Sequence, residues 1–116
     1  MKSNLTTLSI VVPAYNECDS LRQLVRDVCQ AMQGWSGVWR IVCVDDGSKD
    51  ATWHTIEALS REYSMLQGLR FTRNFGKEAA ILAGLEASQA DWVVVMDADG
   101  QHPPSIAAAN VGAGRR

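Results

Sequence analysis

Three apolar runs, each closing on a cluster of polar or acidic residues, leave this chain few folds to choose from. Residues 8–12 (LSIVV) end at Pro13, residues 40–44 (RIVCV) end at Asp45-Asp46-Gly47-Ser48, and residues 92–96 (WVVVM) end at Asp97. A sheet with one wet face alternates apolar and polar residues. Runs this continuous and β-branched instead predict strands buried on both faces. Such strands need helices to cover them and to carry the chain from one parallel strand to the next.

The intervening segments have the right pattern. Leu21, Leu24, Val25, Val28 and Met32 recur at helical spacing, with Asp19 or Ser20 as N-cap and Gly34 and Gly37 as terminators. Asp50 caps a second predicted helix whose inner face carries Trp53, Ile56, Leu59 or Ser60, and Tyr63. Residues 69–72 (LRFT) make a weaker strand. A third helix opens at Gly76 with a stripe of small residues, Ala80, Ala83, Gly84 and Ala87, that lets it lie close to a sheet. Strand alternating with helix predicts an α/β fold with a mainly parallel sheet and right-handed crossovers.

The 116 residues suit one domain, which we expect to span 1–104. Residues 105–116 (SIAAANVGAGRR) are small and poorly patterned and read as a tail, not as a completed element. A net charge of −2 gives no field that would draw the chain to nucleic acid or to an acidic membrane surface. No stretch reaches the roughly 18 apolar residues of a membrane span. The three cysteines, Cys18, Cys29 and Cys43, have no metal-binding spacing. They fit a reduced, cytoplasmic compartment, with Cys29 and Cys43 acting as small buried hydrophobes.

In an open parallel sheet, ligands bind outside the carboxyl ends of the strands. The expected strand ends carry Pro13-Ala14-Tyr15-Asn16-Glu17, Asp45-Asp46-Gly47-Ser48 and Asp97-Ala98-Asp99-Gly100-Gln101-His102. Parallel strands would gather all three clusters along one edge. If residues 97–101 stay extended, Asp97, Asp99 and Gln101 share one side. Their oxygen donors suit a hard divalent cation, Mg²⁺ or Mn²⁺, with open positions for phosphate oxygens. Standing alone, an Asp-x-Asp is more often a solvated turn. Likewise Asp-Gly-Ser is ordinary turn chemistry, or a carboxylate that accepts from a ribose or base. Tyr15 can pack on a base and Glu17 can accept its donors, or the segment is a strand terminator. Arg73 and Lys77 flank Gly76 at a helix start, a setting for an anion or a plain surface loop.

Taken together and in order, VVPAYNE, VDDGSKDAT, TRNFGKEAA and MDADGQHPP resemble family 2 of the glycosyltransferases. The likeness is greatest to its dolichyl- and undecaprenyl-phosphate sugar transferases, and it runs from about Leu8 to Pro104. The resemblance implies the nucleotide-binding half of a GT-A, Rossmann-like fold. It implies nucleotide contacts from Pro13, Tyr15, Glu17, Val44, Asp46, Asp97, Ala98 and Asp99. It further implies a Mg²⁺ or Mn²⁺ ion on Asp97, Asp99 and Gln101. The implied reaction moves a sugar, with inversion, from a nucleotide diphosphate donor to a lipid phosphate at the cytoplasmic face of a membrane. Relatives continue well past the Asp-x-Asp block with acceptor-binding residues, so the resemblance leaves catalytic residues unassigned and points to a truncated or frameshifted product. The alternative is a nucleotide-binding fragment that performs no chemistry. A receiver-like phosphoacceptor domain would need a lysine after a late strand, where Lys77 instead opens a helix. A dinucleotide oxidoreductase would need a G-x-G-x-x-G after the first strand, which is missing.

Overall fold

A computed structural model describes residues 6–98 and the backbone of residues 105–109. In chain order the elements are β1 (Thr7–Ala14), α1 (Cys18–Ala31), β2 (Val38–Asp45), α2 (Thr52–Glu62), β3 (Leu66–Arg70), α3 (Lys77–Ser88), β4 (Trp92–Val95) and β5 (Ser105–Ala109). The strands make one sheet in the order β3-β2-β1-β4-β5. β1 pairs in parallel with β2 and β4, and β2 with β3, while β5 runs antiparallel to β4.

The alternation of a strand explains why its runs read as continuously apolar. Ile10, Val12 and Ala14 of β1 and Ile41 and Cys43 of β2 join a core with Leu21, Val25 and Val28 of α1 and Ile56 and Leu59 of α2. The residues between them face the other way. Val11, Val93 and Val95 meet Ile81 and Leu85 of α3, and Val42 and Val44 meet Ala80. Both faces of β1 and β2 are therefore dry towards their carboxyl ends, whereas on β4 only the α3 side is, with Val94 half-buried and Trp92 exposed on the other. Each large apolar side chain fully buried contributes about 1.5–3 kcal/mol. Close approach of α3 depends on Gly84, where an added Cβ would lie 2.4 Å from Val11 Cγ1.

Winding sets where a ligand can enter. From β1 the chain moves outward through β2 to β3. It then returns through α3 on the opposite face and adds β4 on the far side of β1. The direction of winding thus reverses between β1 and β4. At such a switch point the flanking connections diverge to opposite faces and leave a crevice at the strand ends.

Several boundaries differ from the sequence expectation, each for a local reason. The α1 helix starts at Cys18, so Asp19 and Ser20 fall inside its first turn, and the Ser20 and Leu21 amides donate to the Glu17 carbonyl at 3.2 Å. The N-cap of α2 is Ala51, not the expected Asp50; Asp50 stands one residue earlier and accepts from the Thr52 amide at 2.9 Å and also from the Thr52 hydroxyl. β3 lies at 66–70, earlier than the expected 69–72, because Gly68 fits beneath α2. A Cβ there would come within 2.6 Å of Ile56 and 3.2 Å of Trp53. β4 ends at Val95, although the Met96 amide still donates to the Val11 carbonyl at 2.9 Å.

The tail is corrected in part. Residues 105–109 form a strand on the open edge of β4, where backbone pairing needs no apolar side chains. Pro13 sits inside β1, beyond the last β1–β4 pair, Val11 with Val95. Its backbone nitrogen faces the β4 side, as alternation requires when the carbonyl of Val11 points to β4 and that of Ala14 to β2.

Candidate functional site

The loops that leave β1 and β2 brace each other before either reaches a ligand. Asn16 adopts φ 55°, the left-handed region that Asn tolerates better than most residues. From there its amide donates to Ser48 Oγ at 2.8 Å and its side-chain oxygen accepts from the Lys49 amide at 2.8 Å. The Glu17 amide donates to Thr52 Oγ1 at 2.8 Å. Thr52 is fully buried, and its own hydroxyl donates to Asp50. Slight desolvation opposes ionisation of Asp50. The hydrogen bonds from the Thr52 hydroxyl and amide and from Cys18 outweigh it and hold the carboxyl below its ordinary value.

Asp46 ties the second loop to a third. Its carboxylate accepts from the Phe75 amide at 2.8 Å, from the Gly76 amide at 3.1 and 3.2 Å, and from Asn74 Nδ2 at 3.1 Å. Gly47 lets this happen. At φ 71° it lies against the Arg73–Asn74 peptide, and a Cβ would approach the Arg73 carbonyl carbon to 2.2 Å. The first residue of α3, Lys77, is thereby fixed beside the strand ends. Its Nζ meets Asp97 Oδ1 at 2.5 Å.

These loops enclose a cleft of about 260 Å³ lined by Pro13, Ala14, Tyr15, Glu17, Asp46, Lys77 and Asp97. It lies outside the carboxyl ends of β1, β2 and β4, at the switch point. A pocket for a whole drug-sized ligand takes about 300–1,000 Å³, so the described residues enclose part of a ligand of nucleotide-sugar size.

Six residues singled out from sequence, Pro13, Tyr15, Glu17, Asp46, Lys77 and Asp97, thus share one cleft. Others do not. Val44 is fully buried and packs with Ala80 beneath α3, so its side chain is withdrawn from the cleft. Ala98, which the family resemblance gives a backbone contact with the nucleotide, is not among the residues lining the cleft, and its side chain is 1% exposed in the core on the α1–α2 face. Arg73 does not line the cleft; its guanidinium stacks 4.6 Å from the centre of the Phe75 ring. Asp99 and Gln101, expected to complete a metal site with Asp97, lie outside the described residues. Sequence reasoning missed Asn16, Ser48, Thr52 and Asn74, which hold the loops in place. Their signal was the density of Asn, Ser and Thr in the segments that follow the strands.

Among the described residues, no group of three or more His, Cys, Asp or Glu side chains stands ready to hold a metal ion. Asp97 nonetheless suits a share in one. Its carboxylate is 27% exposed at the cleft and already draws a cation, the Lys77 ammonium, to its oxygen. A hard carboxylate with open positions beside it is the donor set that Mg²⁺ or Mn²⁺ accepts when phosphate oxygens supply the remainder.

Fold and cleft define a doubly wound α/β domain that opens at its switch point. The sequence profile of Glycosyl transferase family 2 matches residues 9–108, and the chain belongs to that family. It is 38% identical over 98 residues to the undecaprenyl-phosphate 4-deoxy-4-formamido-L-arabinose transferase of Salmonella choleraesuis, covering 84% of this chain and 30% of that protein. It is also 38% identical over 99 residues to the dolichol-phosphate mannosyltransferase of Pyrococcus furiosus, covering 85% and 27%. The chain therefore spans about a third of the length of these relatives. The fold is that of GT-A glycosyltransferases. A mannosyltransferase from Pyrobaculum calidifontis, solved with GDP-Man and Mn²⁺, superposes with a TM-score of 0.73 at 23% identity over 84% of this chain and 28% of that one. Mannosyl-3-phosphoglycerate synthase from Rubrobacter xylanophilus gives 0.69 at 20% identity, covering 85% and 33%.

Proposed function

We propose that the cleft between β1 and β4 binds the nucleotide diphosphate of a sugar donor. The protein would act in metal-dependent, inverting transfer of that sugar to a polyprenyl phosphate, with residues 1–104 as the donor-binding unit. One observation carries this reading: residues chosen from three separate sequence blocks as donor contacts line a single cleft at the switch point. The acceptor class is supported by the names of the undecaprenyl- and dolichol-phosphate relatives. The donor class and the metal are supported by the neighbour solved with GDP-Man and Mn²⁺.

In this reading Tyr15, half exposed at the rim, packs on the base, and Glu17 accepts hydrogen bonds from base or ribose. Asp46 has most of its accepting capacity engaged by Asn74, Phe75 and Gly76, so its part is to hold the loop that carries Lys77. Asp97, with Asp99 and Gln101, holds Mg²⁺ or Mn²⁺. When bound, that ion offsets the negative charge of the departing nucleoside diphosphate. Lys77 adds a second positive charge against the same phosphates. An acceptor phosphate is already ionised near neutral pH and needs no strong base, so position and electrostatics carry most of the catalysis. The free thiols of Cys18, Cys29 and Cys43 agree with a cytoplasmic setting. No helix among the described residues is long and apolar enough to cross a membrane.

Thermal melting with UDP, GDP and NAD, each with and without Mn²⁺, tests the proposal. A nucleoside diphosphate at a hundred times its Kd should stabilise the chain by about 2.7 kcal/mol, or roughly 10 °C, only when Mn²⁺ is present. The shift should vanish in Asp97→Asn and in Asp99→Ala. Stabilisation by NAD alone would reject the reading. The cleft residues named here account for donor binding, so donor binding without transfer is a second reading. Metal-dependent binding with no sugar release from the donor would establish it.

A further inference from the structure

The contact between Lys77 and Asp97 bears on how metal and donor enter the cleft. We propose that Lys77 is a built-in counter-cation that occupies the metal's place on Asp97 in the donor-free protein and moves to the donor diphosphate when metal and nucleotide arrive together. This rests on the reading of the cleft given above and adds to it a coupling between the two ligands.

Three observations support the exchange. First, Nζ of Lys77 lies 2.5 Å from Oδ1 of Asp97, and both residues line the cleft. A divalent ion held by the same carboxylate would draw on the same oxygens. Ammonium and metal would then compete for the same lone pairs and repel each other at short range. Second, the two ends of the pair differ in freedom. The Asp97 side chain is 27% exposed and stands two residues past the end of β4, whereas that of Lys77 is 60% exposed on a flexible four-carbon stem. Third, the backbone beneath Lys77 is held still. Gly76 donates its amide to Asp46 at 3.1 Å, and the Ala80 amide donates to the Gly76 carbonyl at 3.1 Å. The side chain can therefore swing while its anchor remains at the cleft.

Metal arriving alone must displace the ammonium and leave it facing a divalent charge. Metal arriving with a diphosphate brings oxygens that receive the displaced ammonium. The two ligands should therefore favour each other's binding, reciprocally and by the same factor.

Mn²⁺ binding followed by calorimetry or by the EPR signal of the free ion, with no nucleotide present, gives the first measurement. Lys77→Met should bind Mn²⁺ about fivefold more tightly than the unaltered chain, the scale of a partly exposed ion pair. With Mn²⁺ saturating, the same variant should bind UDP or GDP about tenfold more weakly, the loss of one charge-assisted phosphate contact. Lys77→Arg, which keeps the charge, should leave Mn²⁺ affinity near that of the unaltered chain, and Lys77→Gln should repeat the Met result. Opposite signs in the two measurements establish the exchange. Unchanged or weaker Mn²⁺ binding in Lys77→Met and Lys77→Gln overturns it, and leaves donor binding intact as a reading. Equal Mn²⁺ binding by Asp97→Asn and the unaltered chain would overturn the metal site itself, and the exchange with it.

Discussion

Asp46 is 4% exposed, yet its carboxylate faces three donors of the loop before α3, the side chain of Asn74 and the amides of Phe75 and Gly76. Hydrogen bonds to a buried charge are worth more than neutral ones, and removing the acceptor strands the donors. Asp46→Ala should therefore lose about 3 kcal/mol in urea unfolding. It should also free Lys77 from the cleft and weaken diphosphate binding beyond what the stability loss explains. Asp50 offers a pH test. Its folded-state pKa is depressed, so its stabilising effect is complete above the ordinary value of 3.8 and is lost as pH falls through the folded value. The stability gap between Asp50→Ala and the unaltered chain should be widest at neutral pH and narrow on acidification below about pH 4, as read by urea midpoints. At this scale the sequence was legible in placing Glu17 and Asp97 at strand ends that the fold brings into one cleft. It was not legible where the partner comes from a distant loop. Nothing near Asp46 reveals that Asn74 and Gly76 will lie beside it, and nothing near Val44 tells which face of β2 it occupies.

Elements were read well where burial dictates pattern. β1 and β2 are dry on both faces towards their carboxyl ends and look it in sequence, whereas β4 reads the same but buries only Val93 and Val95, on its α3 side. β3 has one apolar neighbour strand and an open edge, so Gln67 and Gly68 blur its pattern, and its true start was missed. β5 was missed because an edge strand held by backbone pairing to β4 needs no β-branched run. The small stripe of α3 was read correctly for Ala80 and Gly84, and their burial shows why small residues stand there. Gly84→Ala gains about 1 kcal/mol in helix propensity. The new methyl, though, would lie 2.4 Å from Val11 Cγ1 in the central strand. Overpacking of this kind costs about 1–3 kcal/mol, so a net loss of about 1 kcal/mol is expected. In a double-mutant cycle, Val11→Ala should offset part of that loss, with a coupling of about 1 kcal/mol.

For the whole molecule, helices on both sides of β1 and β2 make global unfolding the route to the interior at the centre of the sheet. Cys43 sits at the centre of β2, fully buried, and burial pushes its thiol up to about 12. It is therefore a closed thiol at neutral pH. Alkylation followed by mass spectrometry should modify Cys18 and Cys29 first. Cys43 should react about a thousandfold more slowly, at a rate set by the population of open molecules. A denaturant concentration that halves the folded fraction should bring the three rates together.

Pro13 has a consequence for the readiness of this protein. The next amide that β1 could offer across to the chain beyond Val95 belongs to a proline, and a proline has none to offer. Zippering of the two central strands is thus halted by covalent structure at the point where the crevice begins. The mouth does not have to be pried apart by an incoming guest. The energy of association is then free for holding the guest, because no ladder of peptide contacts must first be torn open.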